Sequence, residues 1–329
     1  MNRPFEVAPV TIANQLSFDG APFPLVLSPQ APADQLATTL EWVHAERQRL
    51  LDQSSQHGAV LFRGFPLHTA EDFDGFVAAF GLANFPYDTS LSNAVRVNLT
   101  ERVFTANEAP SDVTIFLHHE MAQTPIYPSR LFFFCEKPAD VDGSTPICRS
   151  DALLKLLGKR CPEFVAACQS HGLKYTNVMP LEADPQSGMG RNWQDTFHAA
   201  NQNDAEQRMA SLGYTWEWLD DGCLRATTPV LPAVYELPDG RKSFFNQLIA
   251  AFQGWKDIRN DPHKSITFGN GEPLDPAMVD LATQLAEDVT FDIPWQAGDV
   301  ALVDNLVTMH GRRTFQGTRK VLASLIAAD

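Results

Sequence analysis

The sequence predicts a mainly β fold with flanking helices, a sandwich or barrel, and three observations carry that expectation. From residue 172 onward the chain is a succession of short segments rich in β-branched and aromatic residues. They are "LKYTNV", "YTWEWL", "CLRATTPVL", "AVYELP", "KSFFNQ", "DVTFDI", "DVALVDN" and "RKVLASLIA", many of them bounded by Gly, Pro, Asp or Asn. Little helix is expected between them, which disfavours the alternation of a βαβ sheet. No glycine-rich phosphate loop joins a strand to a helix, which weakens any nucleotide-binding reading.

Each element has its own reason. Residues 33–53 place Leu36, Leu40, Val43 and Leu50 at helical spacing and predict an amphipathic helix. "GAVLFRGF" at 58–65 is a short apolar run punctuated by glycine, hence a buried strand. "TAEDFDGFVAAFG" follows as a helix, with Thr69 as N-cap, Asp72 completing a capping box and Gly81 as a stop. "SRLFFFCEKPADVDGSTPI" gives a strand, a Pro/Asp/Gly turn and a second extended piece; "LFFFC" at 131–135 is most simply core. Residues 150–170 predict one helix opened by Ser150. Two stretches, 177–203 and 257–276, are long and irregular, as lids and binding loops often are. The first includes a short helix, so a helical and loop insert is expected around 177–212 within a single domain spanning 1–329.

Composition narrows the function. The chain has 329 residues, 44% hydrophobic and 20% charged, enough for a sizeable core. A net charge of -15 argues against nucleic acid and anionic membrane surfaces as partners. The five cysteines, Cys135, Cys148, Cys161, Cys168 and Cys223, form no C-x-x-C pair and predict reduced thiols rather than a disulfide framework. With no apolar leader and no membrane-span-length segment, the expectation is a soluble cytoplasmic protein.

The stretch "TIFLHHEMAQ" carries the chemistry. If it is extended, His118 and Glu120 share one face and His119 takes the other. A third ligand has to come from elsewhere, and His310, just past an apolar strand, is the best candidate. Two histidines and one carboxylate with open positions make the facial triad of non-haem Fe(II) oxygenases. The bland alternative is a buried polar pair satisfied by backbone groups.

Three blocks in order, "GAVLFRGF", "FLHHEMAQTPIYPSRLFFFCEKPADVDGSTPI" and "MHGRRTFQGTRKVL", resemble the Fe(II)/2-oxoglutarate dioxygenases of the taurine dioxygenase family. The match is to its clavaminate synthase-like branch, with Glu where many relatives have Asp, and it covers about residues 55–327. The resemblance implies a double-stranded β-helix, or jelly roll, with helices outside it. It implies that His118, Glu120 and His310 bind Fe(II), that 2-oxoglutarate is co-substrate with O2, and that succinate and CO2 are co-products. It implies that Thr145 helps hold 2-oxoglutarate. It also implies an Arg about ten residues after the distal His to take the far carboxylate; Arg319 and Lys320 both occupy that interval. The guanidinium fork favours Arg319, with Lys320 the alternative, and a strand would let only one face the pocket.

Related halogenases lack the carboxylate ligand, so Glu120 disfavours halogenation. The default outcome is hydroxylation of an aliphatic C–H of an amino acid or derivative, free or carrier-tethered, in a biosynthetic pathway. Desaturation or cyclisation by the same fold is the alternative, as is a non-catalytic jelly-roll binding protein. Arg191, Arg312 and Arg313 are candidates to grip a substrate carboxylate, and Asn246 and Gln247 to line the pocket.

Overall fold

The computed structural model describes residues 5–31, 35–87, 90–92, 94, 96–106, 109–184, 187 and 189–327. Its strands begin with β1 (Val7–Pro9), β2 (Leu25–Pro29), β3 (Ala59–Phe62), β4 (Phe104–Thr105) and β5 (Ile115–His118). Then come β6 (Arg130–Lys137), β7 (Thr145–Arg149), β8 (Leu173–Met179), β9 (Thr215–Trp218), β10 (Leu224–Thr227) and β11 (Ile266–Phe268). The last are β12 (Thr290–Ile293), β13 (Val300–Asp304), β14 (Thr308–Arg312) and β15 (Lys320–Ile326). A seven-stranded sheet has the order β1-β2-β3-β13-β6-β15-β4, antiparallel except for the parallel pair β2/β3. A four-stranded sheet has the order β12-β7-β14-β5, and a second four-stranded sheet runs β9-β10-β8-β11.

Side-chain alternation explains how the large sheet is covered on both faces. Val60, Phe62, Phe132, Phe134, Val300, Leu302 and Leu322 pack with Val43, Leu50, Phe73 and Phe76 of two helices. Ala59, Leu61, Leu131, Phe133, Ala301, Val303 and Val321 share a second cluster with Ile147, Phe291 and Ile293 of the four-stranded sheet. A strand buried on both faces has no polar alternation to show, which is why "LFFFC" is uninterrupted.

The helices follow their end signals. The first covers Leu36–His57; the expected start at residue 33 lies outside the described residues. The second, Ala70–Ala78, has the complete Thr69/Asp72 capping box. The single helix expected over 150–170 is two, Ser150–Arg160 and Pro162–His171: Pro162 has no N–H to give and opens the second helix instead of continuing the first. "KSFFNQ" is strand only at Lys242–Ser243, and the chain turns at once into the helix Leu248–Gly254. That helix, Gln202–Ser211 and Pro276–Glu287 put more helix between the late strands than the sequence suggests. The irregular stretch 257–276 also contains β11, which pairs with β8. The cysteines are buried and unpaired. No helix among the described residues is long and apolar enough to cross a membrane.

Candidate active site

Sheet register brings together residues far apart in the chain. In the four-stranded sheet His310 of β14 lies directly across from His118 of β5 and, on its other side, from Ile147 of β7. Directly opposed residues on one face of a pleated sheet have neighbouring side chains, and the two imidazole centroids are 4.3 Å apart. β5 ends at His118, yet Glu120 still returns to the same side, and Oε2 of Glu120 lies 3.3 Å from Nε2 of His310. His119 goes the other way, fully buried, with Nδ1 against the Asn305 carbonyl and its ring on Phe245.

The His118, Glu120 and His310 donor atoms all lie within 4.8 Å of one another. Bonds of about 2.1 Å to one ion hold adjacent donors roughly 3 Å apart, close to what Glu120 and His310 already have. Protonation states suit the same use. Burial, then the neighbouring His310, pushes His118 down to about 4, so its imidazole is neutral at pH 7. Burial disfavours the Glu120 charge, but the Arg96 cation and the His310 hydrogen bond outweigh it and hold the carboxyl well below its ordinary range. The Nδ1–H of His118 donates to the Phe116 carbonyl at 2.7 Å, which fixes the tautomer and leaves Nε2 with a free lone pair. Two imidazoles and one ionised carboxylate are a donor set that fits a divalent transition metal.

Two cavities meet at this cluster. The larger, about 430 Å³, is lined by His118, Glu120, Gln123, Gln247 and Trp255, with Asp184, Ser187, Met189, Asp257 and Ile258 from the two long irregular stretches. The smaller, about 50 Å³, is lined by His118, His310, Phe133, Thr145, Arg312 and Arg319. Arg319 donates from Nε to the Gly143 carbonyl at 2.7 Å and from Nη2 to Thr145 Oγ1 at 3.0 Å. No carboxylate among the described residues forms an ion pair with it. Burial and the Arg312 charge lower it to about 10, still a cation at neutral pH. Lys320 instead pairs with Glu136 at 2.8 Å on the outside.

The other expected substrate contacts divide. Gln247 lines the larger cavity, donating to the His119 carbonyl. Asn246 does not: its side chain is buried between the Ala233 carbonyl and the Leu248 N–H, where it shapes the start of a helix. Arg313 lies on the surface between Glu287 and Asp292. Arg312 borders the smaller cavity, but its fork holds the carbonyls of Ala109, Pro110 and Val113. Arg191 binds the backbone of Ser90, Ser92 and Asp195, away from the three donors.

Sequence reasoning missed three residues. Asn305 accepts from the Glu120 N–H at 2.7 Å and donates to the Glu120 carbonyl at 3.0 Å, so it fixes the turn that aims Glu120. Trp295 donates to Thr145 Oγ1 at 2.9 Å; with Arg319 also donating there, the hydroxyl hydrogen is left to donate elsewhere. Arg96, 7% exposed in its side chain, donates from Nη2 to both oxygens of Glu120 at 3.3 and 3.4 Å. None has a spacing signature; Asn305 resembles any strand-end turn residue.

Comparison with known proteins agrees with this geometry. Residues 23–325 match the family described as taurine catabolism dioxygenase TauD, TfdA family. The chain is 41% identical over 320 residues to a clavaminate synthase-like protein of Arabidopsis thaliana, covering 95% of this chain and 96% of that one. It is 28% identical over 288 residues to the dapdiamide synthesis protein DdaC of Enterobacter agglomerans, covering 83% of each. Among solved structures, PvcB of Pseudomonas aeruginosa superposes with a TM-score of 0.57 at 15% identity, covering 100% of this chain and 93% of that one.

Proposed function

The chain belongs to the taurine catabolism dioxygenase TauD, TfdA family, and from that membership we propose an Fe(II)- and 2-oxoglutarate-dependent oxygenase that hydroxylates an aliphatic C–H of a small amino-acid-like molecule, free or carrier-tethered. The convergence of His118, Glu120 and His310 between the two cavities is the observation that carries this reading. The facing sheets are read as the halves of a double-stranded β-helix, and the chain as one catalytic domain with an insert around 177–212. The name of the dapdiamide relative favours biosynthesis of an amino-acid derivative as the setting.

His118 Nε2, a Glu120 oxygen and His310 Nε2 would hold Fe(II), which supplies activation of dioxygen coupled to oxidation of the keto acid to succinate and CO2. Asn305 and the Phe116 carbonyl keep two of those donors aimed. The far carboxylate of 2-oxoglutarate is assigned to Arg319, whose buried charge has no carboxylate partner among the described residues. The Thr145 hydroxyl donates its free hydrogen to the same anion, its oxygen fixed by Trp295 and Arg319. The substrate takes the larger cavity, beside Gln247 and Trp255.

The test is succinate release with Fe(II), 2-oxoglutarate and air over a panel of amino acids and derivatives, with product mass read in parallel. A substrate-stimulated, iron-dependent release and a gain of one oxygen are expected. Loss of two hydrogens would replace hydroxylation by desaturation or cyclisation. No iron-dependent succinate, and no binding of 2-oxoglutarate to the Fe(II)-loaded protein, would overturn the proposal.

A further inference from the structure

Arg96 has no part in the donor set, yet it touches the one donor that carries charge. Its Nη2 lies 3.3 Å from Oε1 and 3.4 Å from Oε2 of Glu120, while Oε2 also lies 3.3 Å from Nε2 of His310. The contact is enclosed, with side chains 7% and 4% exposed. The guanidinium carbon sits 4.6 Å from the Tyr87 ring centroid and 5.3 Å from that of Phe104, so two aromatic faces hold it in place. The Tyr87 ring is itself anchored, its hydroxyl bonded to Ser92 and to the Ala94 carbonyl. Arg96 also borders both cavities, which share His118, and its Nε is buried without a hydrogen-bond partner.

Charge is what this arrangement changes. Glu120 alone would offer a divalent ion one compensating negative charge at a desolvated site. Paired with Arg96 it offers a neutral unit, so the double charge of the ion is left for another anion to cancel. The keto-acid carboxylate of 2-oxoglutarate would cancel part of that remainder at the ion, its far carboxylate being matched by Arg319. Resting on the reading of the site as iron- and 2-oxoglutarate-binding, we propose that Arg96 is a positioning residue that holds the Glu120 carboxylate and cancels its charge, making metal and keto-diacid bind interdependently. Linkage then requires each ligand to tighten the other by the same factor.

The experiment measures that factor without turnover. Mn(II) is titrated into the anaerobic full-length protein with and without saturating 2-oxoglutarate, for wild type, Arg96→Gln and Arg96→Lys. In wild type, 2-oxoglutarate tightens Mn(II). In Arg96→Gln the ratio of the two Mn(II) dissociation constants falls at least about fivefold, the lower end of ordinary coupling. Arg96→Lys keeps the charge without the fork, so it keeps the ratio within about twofold while Mn(II) alone binds about tenfold more weakly, as for a lost outer partner of a ligand. A purely structural role would weaken both Mn(II) constants together and leave the ratio unchanged. An unchanged ratio in Arg96→Gln, or a ratio lost in Arg96→Lys, overturns the proposal; should Arg96→Gln not fold, the Lys variant decides alone. Failure of the underlying reading is a separate result, in which wild type binds neither Mn(II) nor 2-oxoglutarate.

Discussion

Arg319 and Lys320 are adjacent cations with opposite fates, and the strand explains it. Successive side chains on β15 and its approach face opposite ways, so one turns to Thr145 and the other to Glu136 outside. A charged hydrogen bond in an enclosed site contributes about 1.5–3 kcal/mol, which is roughly 10- to 100-fold in a dissociation constant. Arg319→Gln is therefore expected to weaken 2-oxoglutarate binding by about that range, with the melting temperature little changed. Lys320→Gln should leave it within about twofold, because its partner is a surface carboxylate. Calorimetric titration of 2-oxoglutarate into the Mn(II)-loaded proteins separates them, and equal effects in both would show that Arg319 does not carry the anion. At this scale His118, Glu120 and His310 were legible because their types are chemically distinctive. Arg96 was not, because it reaches Glu120 through irregular chain and no sequence period connects the two.

At the level of elements, the site depends on how closely β14 approaches β5. Gly311 follows His310 at the irregularity in their pairing. A Cβ there would lie 2.5 Å from the Ile115 carbonyl oxygen of β5 and 3.3 Å from Pro146 of β7. Its obstacle is backbone on one side and a ring on the other, so relief requires the strands to separate, and His118 goes with β5. Gly311→Ala should thus weaken Mn(II) binding by about tenfold or more, since misplacement of about 1 Å in such a site costs up to about 100-fold in rate. Circular dichroism should stay near wild type. Mn(II) binding as tight as in wild type would mean that the strands tolerate the methyl group and that their approach does not set the donor spacing. The paired strands themselves were visible in the sequence as apolar, β-branched runs. The N-terminal strands were not, because pieces such as Val7–Pro9 are too short to show a period and are defined only by pairing with distant chain. The division at Pro162 was lost for a different reason: apolar spacing continues across it, while the missing N–H restarts the helix.

On the scale of the whole molecule, one four-stranded sheet, through β5 and β14, holds the donors, and the two long irregular stretches line the cavity over them. Sequence length and Pro/Gly content flagged those stretches, but which groups join them depends on tertiary contact that no local pattern reports. The join is Arg259. It donates to Asp184 at 2.9 Å and to Asp257 at 2.6 Å, and Ser187 donates to the same Asp257 oxygen at 2.9 Å. Asp184 and Ser187 belong to one stretch, Asp257 and Arg259 to the other, and all but Arg259 line the larger cavity. The Arg259 side chain is only 15% exposed, so the pairs are partly desolvated and removing the cation costs more than losing an ordinary surface bridge. Arg259→Ala removes the cation that joins the two carboxylates, which favours separation of the stretches. Cover over a binding cavity belongs to the low-stability end of a structure, where one such tie changes local opening more than global unfolding. Chymotrypsin cleavage within 177–203, where Leu181 is exposed, is expected to accelerate about tenfold in Arg259→Ala, a local opening penalty lowered by roughly 1.4 kcal/mol. Mn(II) affinity should be unchanged, because the donors sit on the four-stranded sheet beneath. Cleavage at the wild-type rate would show that the stretches stay closed without Arg259, and equal loss of Mn(II) binding would show that they and the donors form one cooperative unit.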